Sequence, residues 1–365
     1  MKPQRIASHA RRAGLTLVEL ILAVGLFSIL MIAVFQLFDR SLSIWERGET
    51  QRSLLEQAAS VGELLAQDLS AIEGDQRGDV LAEWVGFDTD GDSVRDTFWP
   101  RIRLVRYADA AELLQRGLDT SSGLASSVRP GGSALIEVVW CVVPASRTEA
   151  DARAEGILLR GEQLRVDGAK SFFDPSFFPQ SNEPAVDRVR EASSGLLWMS
   201  FLFASQTSVV HDGWSLGPGL EHASASWDAW AEGRPDTEVH AFNDAPPGMP
   251  AVAKRAVLPR RIRVEIEIER PGDRRRRTRL YEELDALETS FRVENGLRLP
   301  RGEDALVKIG GEWMRVLAVD GDQVRVRRGE RGTEARRHES GEMVHYGQRL
   351  VREIPVALYR EDWNL

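Results

Sequence analysis

Residues 11–38 read RRAGLTLVELILAVGLFSILMIAVFQLF: a basic pair, a small step to glycine, then an apolar run with one acid. The run from Leu15 to Phe38 contains a single charge, Glu19, and no proline. As a helix it is about 36 Å long, enough to cross a hydrocarbon core of about 30 Å. Upstream, residues 1–14 carry Lys2, Arg5, Arg11 and Arg12 and no acid, so this leader is +4. A basic flank of this kind stays cytoplasmic, which sends the chain after Phe38 across the membrane. A cleaved secretory signal fits poorly, because its apolar region runs about 7–15 residues and is followed by a small-residue cleavage site. Glu19 also separates the segment from an ordinary anchor, since a carboxylate inside a spanning helix is costly and reads as functional.

Arg11-Arg12-Ala13-Gly14 followed by Leu15-Thr16-Leu17-Val18-Glu19 resembles the cleavage and methylation motif of type IV prepilins. The resemblance implies a prepilin peptidase that cuts between Gly14 and Leu15 and methylates the new amine of Leu15. Glu19 then becomes the fifth mature residue, where that family has its glutamate. The first mature residue is Leu, where Phe is commoner. Cutting ahead of the apolar run leaves the helix attached as an anchor. The new amine is a cation at the edge of a low-dielectric region, and a carboxylate on a neighbouring helix can pair with it. Glu19 is therefore read as an assembly residue that sets register between adjacent subunits.

Past Phe38 the helical pattern turns amphipathic. Leu54, Ala58, Val61, Leu65, Leu69 and Ile72 share one face at a 3.6-residue period, with Glu, Gln, Arg and Ser opposite. No proline occurs between residues 4 and 99, so one helix from Leu15 to Ile72, about 87 Å long, is expected before the Gly74-Asp75 stop. Thereafter strand-like runs dominate: Thr97–Tyr107, Ser133–Val143, Gly156–Arg160, Leu196–Ala204 and Val257–Glu269. Arg261–Glu269 alternates strictly and predicts an antiparallel strand with one wet face. Asp167–Ala192 and Gly213–Ala253, rich in Pro, Gly, Ser and Trp, read as surface loops.

The expected fold class is thus α+β and pilin-like: one long N-terminal helix on a mainly antiparallel β domain, with a small C-terminal β module. The segments are a leader at 1–14, the helix at 15–73 with its transmembrane part at 15–38, the β domain at 74–300, and the module and tail at 301–365. Leu258-Pro259-Arg260-Arg261-Ile262-Arg263-Val264, together with Asp68-Leu69 before the β domain, is similar to the minor pseudopilin J family of type II secretion. That resemblance implies a single-pass inner-membrane protein with a periplasmic domain, partnered through its N-terminal helix by other pseudopilins or pilins. It also implies a place near the tip of a short filament and contact with secreted protein substrates. A minor pilin of a type IV pilus or competence filament stays open, as does a surface-anchored binding protein or enzyme using the pilin export route.

Other features carry less. Asp88, Asp90, Asp92 and Asp96 in DTDGDSVRD place carboxylates at alternate positions, a pattern suited to Ca²⁺ or to a solvated turn. No other cofactor is suggested. Arg274–Arg277 and Arg279 read as a hairpin tip, with contact to an acidic partner or lipid headgroups as the alternative. Gly310-Gly311 and Gly321-Asp322 mark two hairpins, and the stretch through Arg328-Gly329, Gly332-Thr333 and His338 resembles a small β module of phage-tail and bacterial surface proteins, with His338 as a structural hydrogen-bonder. Cys141, the only cysteine, sits in an apolar run and reads as a buried small hydrophobe. No catalytic motif is recognised, so the chain is read as a structural protein and not as an enzyme. The formal charge is −9, and removal of the +4 leader makes it −13, which argues against nucleic acid as a partner.

Overall fold

The computed structural model describes residues 17–73, 78–89, 95, 97–117, 133–146, 154–166, 170–178, 182–204, 226–229, 258–259, 261–269, 277–302 and 304–356. It comprises two units, Met1–Ser53 and Leu54–Leu365. Helix α1, Leu17–Ser70, starts in the first and ends in the second. In the first unit every described apolar side chain from Leu17 to Phe38 is exposed.

In the second unit α1 buries the stripe that its periodicity predicts: Leu54, Ala58, Val61, Leu65, Leu69 and, just past the helix, Ile72. Burying each large aliphatic side chain contributes about 1.5–3 kcal/mol. The stripe joins the core of an eight-stranded sheet of order β14-β7-β5-β4-β3-β2-β1-β6. Its strands are β1 (Val80–Phe87), β2 (Thr97–Ala108), β3 (Ala134–Pro144), β4 (Gly156–Leu164), β5 (Arg190–Ala204), β6 (Trp227–Asp228), β7 (Arg261–Ile268) and β14 (Gln348–Pro355). Every pairing in it is antiparallel. A short helix α2 (Ala110–Gln115), capped by Asp109, follows β2. The architecture is α+β, a long N-terminal apolar helix followed by a mostly antiparallel β domain.

Alternation along β2 and β3 splits their side chains between two covers. Ile102, Leu104, Ile136, Val138 and Trp140 join the core shared with α1, whereas Val139 and Cys141 pack with Phe172, Phe177 and Phe178. Leu81, Val105 and Leu135 pack with Phe173. The 167–192 stretch therefore departs from its reading as a surface loop: its phenylalanines close the second face of the sheet, and β5 begins within it. Glu137, fully buried on β3, fixes that cover by accepting from Phe172 N at 2.7 Å, Gln163 Nε2 at 2.8 Å and Ser171 Oγ at 2.9 Å. Of the 213–253 stretch only 226–229 is described, and Trp227 there is buried in the main core.

Between β7 and β14 the chain builds a second, smaller sheet assembly. A four-stranded sheet has the order β10-β11-β12-β9, from β9 (Ser290–Arg292), β10 (Leu306–Ile309), β11 (Glu312–Asp320) and β12 (Gln323–Glu330). A two-stranded pair joins β8 (Thr278–Arg279) to β13 (Met343–Val344). Leu284, Phe291, Ile309, Met314, Val324 and Val344 are among the residues of its own core. The two expected hairpins form, and their glycines supply the left-handed backbone the turns need, Gly310 at φ +54° and Gly321 at φ +59°. Residues 301–365, expected as one module and tail, contribute β10–β13 to this assembly and β14 to the large sheet, while β8 and β9 precede them.

Candidate assembly helix and buried polar sites

The residues expected to carry assembly are the least enclosed. Glu19 lies in the first turn of α1. Leu17–Asp39 is long and apolar enough to cross a membrane, and none of it is buried within the fold. An isolated helix with leucine, isoleucine and phenylalanine exposed all round needs lipid or other helices as its solvent. Gly14 and Leu15 lie outside the described residues, as do Asp90, Asp92 and Asp96; Asp88 is described, half-buried just after β1. Of the arginine run, Arg274–Arg276 lie outside the described residues. Arg277 is nearly buried, paired with Glu269 and stacked 3.7 Å over Tyr346.

At the far end of α1 a buried acid ties the helix to the sheet. Asp68 is fully buried and accepts from Trp140 Nε1 of β3 at 2.9 Å and from Arg160 Nε of β4 at 2.8 Å. Arg106 of β2 completes an ion pair with it at 2.9 Å. Burial opposes charge on Arg160, but the carboxylates of Asp68 and Glu162 outweigh it and hold its pKa above the ordinary value. The sequence signal is a lone acid three residues after Leu65 and one before Leu69, on the face that becomes buried. On the opposite face, Arg101 and Arg103 pair with Glu83, and their guanidinium groups lie 4.0 and 5.4 Å from the Phe178 ring centre.

A third polar site joins the inserted assembly to the large sheet. Arg331, a non-glycine residue at φ +56°, donates to Glu265 Oε1 at 2.6 Å and Glu267 Oε2 at 2.8 Å on β7. Its guanidinium lies 4.0 Å from the Trp313 ring centre and 5.0 Å from that of Trp198. Left-handed backbone at such a residue is costly and persists where the surroundings over-determine it. The β7 face expected to be wet is therefore covered at Glu265 and Glu267, because the inserted assembly supplies their counter-charge.

Beside it, Lys308 of β10 is buried and donates to the carbonyls of Ala154 at 2.6 Å and Leu197 at 3.0 Å, with Trp99 4.7 Å and Trp313 5.7 Å away. Burial and the nearby Arg331 push its pKa down to about 7 against the pull of Glu267, Glu155 and Glu269. Glu155, Glu269 and His345 place one ligand atom each within 4.8 Å of one another. Arg277 already pairs with Glu269, and His345 Nδ1 lies 2.6 Å from that carboxylate, so Glu269 is met by side chains of the protein itself.

Cys141 is buried, and burial lifts its thiol pKa to about 12, which fits its reading as a small hydrophobe.

Residues 9–35 match the prokaryotic N-terminal methylation motif. No curated protein and no solved structure matches the chain. The motif supports a type IV pilin-like protein and implies processing by prepilin peptidase and assembly with other pilins. The apolar helix and the motif together fit anchoring in a membrane by the N-terminus.

Proposed function

We propose that this chain is a minor pseudopilin of a type II secretion system, a structural subunit that helps to nucleate or cap a short filament. The observation that carries the reading is the methylation motif at 9–35 running directly into a fully exposed apolar helix with one acid, Glu19. Prepilin peptidase cuts between Gly14 and Leu15, and the amine of Leu15 is methylated. The basic leader keeps the N-terminus cytoplasmic, and the β domain faces the periplasm. Neighbouring subunits pack against residues 15–38, where Glu19 of one chain pairs with the terminal amine of the next. The type II assignment is supported by the LPRRIRV strand and the Asp68-Leu69 helix end.

Mass spectrometry of the N-terminal peptide from membranes of a secreting strain tests the core of this reading. The expected peptide begins with methylated Leu15. An intact leader in a functional strain refutes it. Co-purification with pilus subunits in place of the other pseudopilins would refute the type II assignment and leave the processing intact.

A further inference from the structure

We propose that residues 331–342 form a proton-gated strap on the inserted assembly, closed while His338 carries a proton on both ring nitrogens and loosened when it loses one. Most of the strap is exposed; Arg331 at its start and His338 within it turn inward, and His338 is its buried residue. Its ring lies between two carboxylates: Nε2 is 2.9 Å from Glu312 Oε2 and Nδ1 is 3.2 Å from Glu342 Oε2. A carboxylate only accepts, and a neutral imidazole has one N–H. Deprotonation therefore leaves a nitrogen lone pair facing a carboxylate oxygen. Only the imidazolium satisfies both contacts.

The charges around this ring come from each neighbouring element. From β11, Glu312 also receives both Nε and Nη2 of Arg328 of β12, at 2.6 and 2.7 Å, and the backbone N–H of Arg336 at 3.0 Å. Those donors hold the Glu312 carboxyl down at about 2 despite its burial, so the shared proton resides on the histidine. From the strap itself, Glu339 donates its backbone N–H to Glu342 at 2.7 Å. From the segment after β8, Glu283 pairs with Arg337 at the surface, and Arg279 of β8 donates to the Gly341 carbonyl at 2.7 Å.

Closure has a backbone component as well. His338 and Leu284 exchange two hydrogen bonds of 2.9 Å, the anchor that the ring contacts reinforce. The strap begins at Arg331, the residue that grips Glu265 and Glu267, so its order is continuous with the seating of the whole assembly.

The sign follows from linkage. Burial opposes the imidazolium, the bonds to Glu312 and Glu342 outweigh it, and the pKa of His338 lies above its ordinary 6.5. A folded pKa raised above the unfolded one gives stability that is fully present below pH 6.5 and is lost as pH rises through the folded value.

Hydrogen exchange of the full chain in detergent micelles, corrected for the intrinsic pH dependence of exchange, tests this. Between about pH 5.5 and pH 8.5 the peptide covering 331–342 is expected to lose about tenfold in protection, the factor for one charge-assisted hydrogen bond, while β11 and β12 hold theirs. His338→Gln should remove that pH dependence. Glu342→Gln, which leaves the Glu312 contact in place, should keep the fold and move the midpoint to lower pH. Protection of the strap that is flat with pH in the wild type, an equal dependence in His338→Gln, or an unmoved midpoint in Glu342→Gln would each overturn the proposal.

Discussion

The Asp68 carboxylate and the Arg160 guanidinium meet edge to edge beneath α1, with Nε donating to Oδ2 at 2.8 Å and Nη2 to Oδ1 at 3.0 Å. An acid in the last turn of a helix opposes the helix dipole, and the last turn of α1 has no base of its own. Arg160 and Arg106 supply that charge from the sheet, so the helix end is stable only where the sheet is. Asp68→Ala takes the acceptor from the Trp140 indole and leaves Arg106 and Arg160 with Glu112 and Glu162 as their remaining carboxylates, neither of them on α1. The expected loss is about 3 kcal/mol of unfolding free energy, read by urea denaturation of the full chain in micelles. A loss no larger than that of an exposed ion pair would show that the carboxylate does not hold the helix in place.

Glu19→Ala should separate assembly from folding. Glu19 lies in a segment that none of the fold buries, so secondary structure and membrane insertion are expected to be unchanged. Cross-linking between neighbouring subunits should fall to background if Glu19 supplies the proposed pairing charge for the terminal amine. Unimpaired cross-linking of the variant would remove the assembly role from this residue.

Lys308→Met should alter how stability depends on alkali. The folded pKa of about 7 lies below the ordinary 10.5, so between those values the unfolded chain binds the extra proton. Stability of the junction therefore rises with pH across that window. The methionine variant lacks this increment, and the difference between the two denaturation profiles isolates it. Identical slopes in both proteins would place the lysine outside that balance.

Cys141 should resist thiol reagents in the native protein. With its pKa at about 12 and its side chain closed over by Phe172, Phe177 and Phe178, almost no thiolate is available at pH 8. Labelling by a chromogenic disulfide is expected to follow global unfolding. Fast labelling without unfolding would mean that the aromatic cover opens by itself.

The helix was the most legible part of the sequence because its signal is local: six residues from Leu54 to Ile72 repeat at one period, and all six are buried. Of the five expected strands, β2 and β3 lie within one residue of their observed limits at both ends; the other three match at one end only, β4 running four residues further, β5 starting six residues earlier and β7 four residues later. β1 was missed because Ala82, Glu83 and Gly86 dilute its apolar signal, and β14 because an edge strand that carries Gln348, Arg349, Arg352 and Glu353 among few apolar residues resembles a polar tail. The four buried phenylalanines of 172–178 follow no period, so irregular backbone hid their packing. The partners of Lys308 and Arg331 lie far away in sequence, at Ala154, Leu197, Glu265 and Glu267. Composition could mark those two bases as charged, but only folding brings them inside.

Ile268 and Gln348 are direct partners across β7 and β14, and every residue of the inserted assembly lies between them in sequence. Tension applied through that assembly therefore enters the large sheet at one rung and opens the ladder like a zipper, bond after bond, toward Arg261 and Pro355. Zippered ladders yield at low force, because each pair bears the load alone. Lys308 and Arg331 change the route: they reach the chain at Ala154, Leu197, Glu265 and Glu267, and share the pull across three strand regions. The two buried bases are the rivets that let a cassette hung from a single hairpin be pushed and pulled without peeling away.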